Sequence, residues 1–265
     1  MKTAARLNTH QTFKVNNMTG NGVRLFANKI IRYSDWNRMY VPIQSKLQTL
    51  SPLPTIGSLD LLNPLDNSGN GFEVKQGGAQ INYWGLHYES GAKPSATTLI
   101  KPGQGAVSFL TAFRFASLNR YTNIFSCRNE TANDGHGFNL YWSGDLLMGF
   151  AYPSGEVRNI SGGDVAHPDL NKWYVAAGTF DPVALKANVQ FSELGLRFGN
   201  LGDNIAADQT LNTPMHIGGG PEGKTTSSMH GDVAFHAVYD GAFSVEHRAE
   251  MINVGMEILA DRGLV

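Results

Sequence analysis

The stretch Pro214–Ile252, PMHIGGGPEGKTTSSMHGDVAFHAVYDGAFSVEHRAEMI, decides the fold. It holds a short apolar strand, a glycine-rich loop, a second strand after Gly231 and a capped helix. Gly218, Gly223, Lys224 and Thr225 also satisfy the phosphate-loop pattern G-x-x-x-x-G-K-[ST]. Such a loop must open directly onto a helix, whose first N–H groups and dipole hold the anion. Thr226–Gly231 is a polar run without a 3.6-residue apolar period, so no helix is expected there. Parallel strands need a crossover of a dozen or more residues. Only residues 226–232 separate Thr225 from Val233, a spacing that predicts an antiparallel hairpin with a long tip.

The order of apolar residue, His216, Ile217, Gly218 and Gly219, a loop, Gly231-Asp232 through Val238-Tyr239-Asp240, then Ser244 and Glu246, resembles the closing segment of laminin-G-like, concanavalin A-like jelly rolls. Ser244 suits an N-cap, with Glu246 in the positive first turn. Met251, Ile252, Gly255, Met256 and Leu259 recur at helical spacing. Near the other end, Leu61–Gly71 resembles the opening of the same domains, where a strand runs into an Asp/Asn/Gly turn.

Between these ends, Ala106–Phe115 reads as a strand of imperfect alternation, and the resemblance places it in the middle of one sheet. Asn123–Arg128, Gly137–Trp142 and Leu146–Tyr152 follow, the last two joined at Ser143-Gly144-Asp145 as a hairpin. Trp173–Asp181 resembles the family's Trp-x-x-Val-Ala strand. Strands at this spacing, with no helical segment between Leu61 and Met215, predict an all-β fold. The expected architecture is a two-sheet antiparallel jelly-roll sandwich over residues 57–265, with a short C-terminal helix and an irregular N-terminal arm.

That arm, residues 1–56, carries scattered apolar side chains from Phe13 to Val41 and ends in the Pro-rich run Leu50–Gly57, read as an extended linker. It is too short for its own core and must bury those side chains on a neighbour. The 265 residues carry 21 basic and 22 acidic side chains, which excludes global steering toward nucleic acid or an anionic membrane. With Cys127 as the one cysteine, neither an intramolecular disulfide nor a structural zinc cluster can form. No apolar h-region follows Met1, so no secretory signal is expected, and no stretch suits membrane insertion.

Sugar binding calls for an aromatic plate beside polar groups that meet hydroxyls. Tyr83–Glu89 and Asp134–Trp142 offer both, which makes Trp84, His87, Tyr88, His136 and Tyr141 the candidate carbohydrate contacts. Trp142 and Trp173 lie within strands and read as core. Glycosidases of the same jelly roll carry Glu-x-Asp-x-x-Glu; that pattern is absent, and Glu246, Glu250 and Glu257 read as helix surface, so no catalytic residue is assigned. The resemblance implies calcium as the one cofactor, held at a loop rim by Asp134, Asn139 and Asp145, calcium taking six to eight oxygens.

These features point to a non-enzymatic virion accessory protein, a head decoration, fibre or tail component of a bacteriophage-like particle made in the host cytoplasm. Residues 1–56 would dock on other virion proteins while the sandwich faces outward toward a cell-surface glycan. Homo-oligomers are expected, because virion sites are symmetric and weak sugar contacts gain from multivalency. The alternatives are a free-standing carbohydrate-binding or carbohydrate-active protein and a nucleotide-hydrolysing enzyme using the Gly218 loop.

Overall fold

The structure is a computed structural model that describes residues 55–60, 75–128, 137–200, 213–219 and 229–265, less short connections at 78, 83, 90–94, 99, 119–121, 144–145, 152–156, 162–167, 185 and 194. The expected arm up to residue 54, the Leu61–Gly71 turn and most of the Gly218 loop lie outside these residues. All described residues belong to one compact unit, Ile43–Val265.

In chain order the strands are β1 (Thr55–Asp60), β2 (Lys75–Gly77), β3 (Gln80–Asn82), β4 (Gly85–Tyr88), β5 (Ser95–Thr97), β6 (Val107–Phe115), β7 (Thr122–Ser126) and β8 (Gly137–Trp142). β9 (Leu146–Ala151), β10 (Val157–Ser161), β11 (Tyr174–Asp181), β12 (Lys186–Phe191), β13 (Gly195–Asn200), β14 (His216–Ile217) and β15 (Gly231–Asp240) follow. One helix, α1 (Val245–Asp261), comes last among the described elements. The first sheet runs β13-β12-β11-β6-β15-β4-β3, with β1 also on β15, and the second runs β10-β9-β8-β7-β14-β5-β2. Every described pairing is antiparallel. The expected two-sheet sandwich is the observed one, and β6 lies at its centre between β11 and β15.

Aromatic side chains fill the space between the sheets. Phe109 meets Phe125 edge-on at 4.8 Å between ring centroids, and Phe138 stacks on Phe180 at 5.1 Å. Leu86, Tyr88, Val233, Val238 and Ile217 belong to the same cluster, as does Trp142. A second cluster lies on the outer face of the first sheet, where Leu110, Ala112, Val175, Ala177, Phe235, Ala237 and Tyr239 meet Met251, Ile252, Val254, Ile258 and Leu259 of α1. Burying these five helix side chains contributes roughly 1.5–3 kcal/mol each before the cost of ordering the chain. Because both faces are covered, β6, β11 and β15 are buried almost residue by residue, which is why β6 lacks clean alternation.

The helix ends as its sequence dictates at the N-terminus, where the Ser244 hydroxyl accepts from the His247 N–H at 3.2 Å. Gly255 lets it lie close to the sheet: a Cβ there would stand 2.6 Å from Val175 Cγ1, a stiff β-branched neighbour. Glu246, Glu250 and Glu257 are exposed on the far side, as their spacing predicts.

One expectation fails. Ile217 and Val233 are not the two arms of a hairpin: β14 pairs with β5 and β7 in the second sheet, whereas β15 lies in the first. Gly218 and Met229, on either side of the segment between them, are tied by a 2.8 Å bond from Met229 N–H to Gly218 O. Short spacing argued against a parallel pair, but it does not require that two antiparallel strands be partners.

His236 of β15 is buried between the sheets, its ring 4.7 Å from that of Phe125 and its Nε2 against Met215 Sδ. Desolvation by burial pushes its pKa down to about 3. Above pH 6.5 neither folded nor unfolded chain holds this proton. Below it the unfolded chain takes the proton up and the folded chain does not, so stability falls by about 1.4 kcal/mol per pH unit. Urea unfolding at pH 6.5 and pH 5 should show the native chain losing about 2 kcal/mol more than His236→Leu; equal losses would contradict this assignment.

Candidate functional site: a tryptophan–arginine cluster beyond the helix

Among the described residues, α1 does not cover the outer face of the first sheet along its whole length. At one end three strands set Arg114 of β6, Asp232 of β15 and His87 of β4 side by side, since Asp232 is in register with both. Leu86 and Tyr88 point into the inter-sheet core, so period-two alternation sends His87 outward. Phe113 and Phe115 do the same for Arg114, and Val233 for Asp232.

A bulge makes this end differ from the helix-covered part. The register of β15 against β6 shifts between Val233 and Phe235, so Ala234 and Phe235 both join the helix-side cluster. Before the shift β15 pairs with β4, and after it with β1. Gly85 sits against the bulge with φ +147°, and a Cβ there would lie 2.3 Å from Val233 O and 2.7 Å from Ala234 Cα. The buried Arg262, just after α1, donates through Nη1 to Ala234 O at 3.0 Å and Trp84 O at 3.1 Å. The C-terminal segment thereby holds the bulge and the backbone of Trp84 together.

Asp232 organises the cluster. Its Oδ1 accepts from Trp84 Nε1 at 2.7 Å and bonds His87 Nδ1 at 2.8 Å, and its Oδ2 accepts from Arg114 Nε at 2.5 Å. The carboxylate side chain is only 3% exposed, against 26% for Arg114 and 24% for His87. The Arg114 Cζ lies 5.1 Å from the ring centroids of both Trp84 and Trp173. An anion thus lies beneath an outward layer made of the Arg114 cation, the His87 imidazole and the Trp84 ring, with Trp173 buried beside them. Next to it the Ser117 hydroxyl bonds His230 Nδ1 at 2.5 Å.

Of the residues expected to meet sugar, Trp84 and His87 come together here. Tyr88 does not: it is fully buried, and its hydroxyl donates to Ile217 O at 2.8 Å inside the sandwich, while burial raises its pKa. Tyr141 is 2% exposed on β8, too enclosed to act as a sugar plate in this structure. His136, Asp134 and Asp145 lie outside the described residues. Asn139 is not a loop residue; it sits within β8, where its Nδ2 donates to Asn123 Oδ1 at 2.8 Å. Among the described residues no three His, Cys, Asp or Glu side chains gather as a metal set.

Arg114, Trp173 and Asp232 were not expected to act together. The signal was present, since the one arginine in the apolar run VSFLTAFRF and the aspartate at the second position of GDVAFHAVYD must find partners when buried. Which partners they find is set by sheet register, which no local pattern carries.

No family model matches the chain, and no curated protein is similar to it in sequence. Solved structures are similar in fold. Domain 4 of AbnA, an extracellular GH43 arabinanase from Geobacillus stearothermophilus solved with arabinotriose, is 11% identical with a TM-score of 0.57, covering 76% of this chain and all of that one. The receptor-binding domain of a mosaic C/D botulinum neurotoxin is 13% identical with a TM-score of 0.56, covering 78% of this chain and 51% of that one. Trypanosoma rangeli sialidase is 13% identical with a TM-score of 0.57, covering 77% of this chain and 33% of that one. The chain thus spans about half of the toxin structure and a third of the sialidase. The likeness is one of fold: a concanavalin A-like β-sandwich.

Asp232→Asn would keep the shape but remove the charge paired with Arg114 and set an amide N–H₂ against a donor. The expected cost is about 2–4 kcal/mol, lower than for a fully buried pair because Arg114 is a quarter exposed. Urea midpoints for Asp232→Asn, Arg114→Met and the double variant should show the double losing less than the sum of the singles; simple additivity would contradict the coupling.

Proposed function

We propose that the chain is a non-enzymatic glycan-binding sandwich, an attachment module whose sugar contacts centre on Trp84, Arg114 and His87. The observation that carries the reading is the partly exposed pair Trp84 and Arg114 on the outer face of the first sheet, backed by the buried Trp173. An aromatic surface with a few fixed polar groups beside it is the arrangement sugar rings require. The similar fold solved with arabinotriose and the similar receptor-binding domain support a surface-recognition role. Asp232, the carboxylate of the cluster, has its oxygens occupied by three donors, which supports binding over hydrolysis.

A panel of neutral and acidic oligosaccharides, titrated into the full chain and followed by tryptophan fluorescence, should include at least one ligand. Trp84→Ala should weaken its binding at least tenfold, with no new reducing ends after prolonged incubation. Binding unchanged by that substitution, or steady release of reducing ends, would contradict the reading.

The setting proposed from the sequence, a bacteriophage-like particle carrying many copies docked through residues 1–56, would multiply weak contacts of this kind. Light scattering on the full chain should then report a homo-oligomer, and a monomer at micromolar concentration would contradict that setting.

A further inference from the structure

We infer that the sugar taken at this site bears a carboxylate, an inference that rests on the glycan-binding reading and narrows it. The argument starts from what Arg114 has left to offer. Its Cζ lies 5.1 Å from the ring centroids of Trp84 and Trp173, and its Nε is taken by Asp232 Oδ2. The remaining edge, Nη1 and Nη2, has no hydrogen-bond partner among the described residues, and the side chain is 26% exposed. A free guanidinium edge is a planar fork of N–H groups, the geometry that meets both oxygens of one carboxylate. With Nε taken, the Nη edge is where its charge can be answered.

His87 supplies the second point. Its Nδ1 bonds Asp232 Oδ1, and a carboxylate can only accept, so the hydrogen of that bond is on Nδ1. When the ring is neutral, Nε2 is then an acceptor, and it makes no hydrogen bond among the described residues. Arg114 on β6 and His87 on β4, the two strands that flank β15, both bond the one Asp232 carboxylate, Arg114 at Oδ2 and His87 at Oδ1, which ties the fork and the ring to a single group. A donor fork beside an acceptor matches a ligand that presents a carboxylate next to a hydroxyl.

Charge order favours the same class. Asp232 lies beneath, 3% exposed, and the Arg114 cation lies outward. An incoming anion meets the cation first and the buried carboxylate from farther away. Hydrogen bonds between ions are roughly twice as strong as neutral ones, so the carboxylate decides affinity more than any single hydroxyl. Both uronic acids and sialic acids carry this chemistry.

The test uses the full chain on an array that displays neutral, uronic-acid-terminated and sialic-acid-terminated oligosaccharides beside the carboxyl-reduced counterparts of both acidic sets. At least one acidic set should be bound, with its reduced counterpart at least tenfold weaker; which set binds identifies the source of the carboxylate. Arg114→Lys, which keeps the ion pair with Asp232 but loses the fork, should weaken the acidic ligand at least fivefold in calorimetric titration. Should that variant fold poorly, the comparison of acidic with reduced glycans decides on the native protein alone. Equal binding of acidic and reduced glycans, or binding of neutral glycans only, overturns the inference while the glycan-binding reading stands. If no glycan is bound, both fall.

Discussion

From Gly231 to Tyr239 every residue of β15 is buried, and the rest of the described architecture answers that constraint. Its inward residues Val233 and Val238 close the sandwich core, and its outward residues Phe235, Ala237 and Tyr239 need a second cover that an isolated two-sheet fold does not provide. Helix α1 is that cover. The last turn of the chain is therefore part of the sheet's hydrophobic economy, and the sequence after Ser244 is apolar on one stripe and acidic on the other. Gly255 permits the close approach, and the Ser244 cap fixes where the helix begins.

The bulge at Ala234 separates two uses of one sheet face. After it, apolar side chains meet the helix. Before it, Asp232 turns to the same side among polar and aromatic partners, and the sheet stays partly open. Arg262 joins the two regions by accepting the task of satisfying backbone oxygens that the bulge and the Trp84 turn leave unpaired by strands. The site thus sits on strands held from behind by the inter-sheet core and from the side by the C-terminal segment, a placement that preorganises Arg114 rather than leaving it on a mobile loop.

Much of the fold was legible because its signals are local. Strand periodicity, the Ser143–Asp145 tip and the Ser244 cap each depend on a few neighbouring residues, and the corresponding elements are where they were expected. Trp84 and His87 could be chosen from an aromatic, polar stretch alone. Tyr88 was chosen with them for the same reason, and strict alternation would have separated it from His87, since adjacent residues of a strand face opposite ways. The partnership of Arg114 with Asp232, and the assignment of β14 and β15 to different sheets, depend on long-range register. Nothing within ten residues of either side chain encodes it.

If α1 and β15 are one cooperative unit, hydrogen exchange measured by NMR tests the point most directly. The account predicts that amides of His236–Tyr239 in β15 and Met251–Leu259 in α1 exchange only through global opening, with free energies equal within about 1 kcal/mol. A helix that opens several kcal/mol more cheaply while β15 remains protected would contradict it, because the outer face of the sheet would then be stable without its cover.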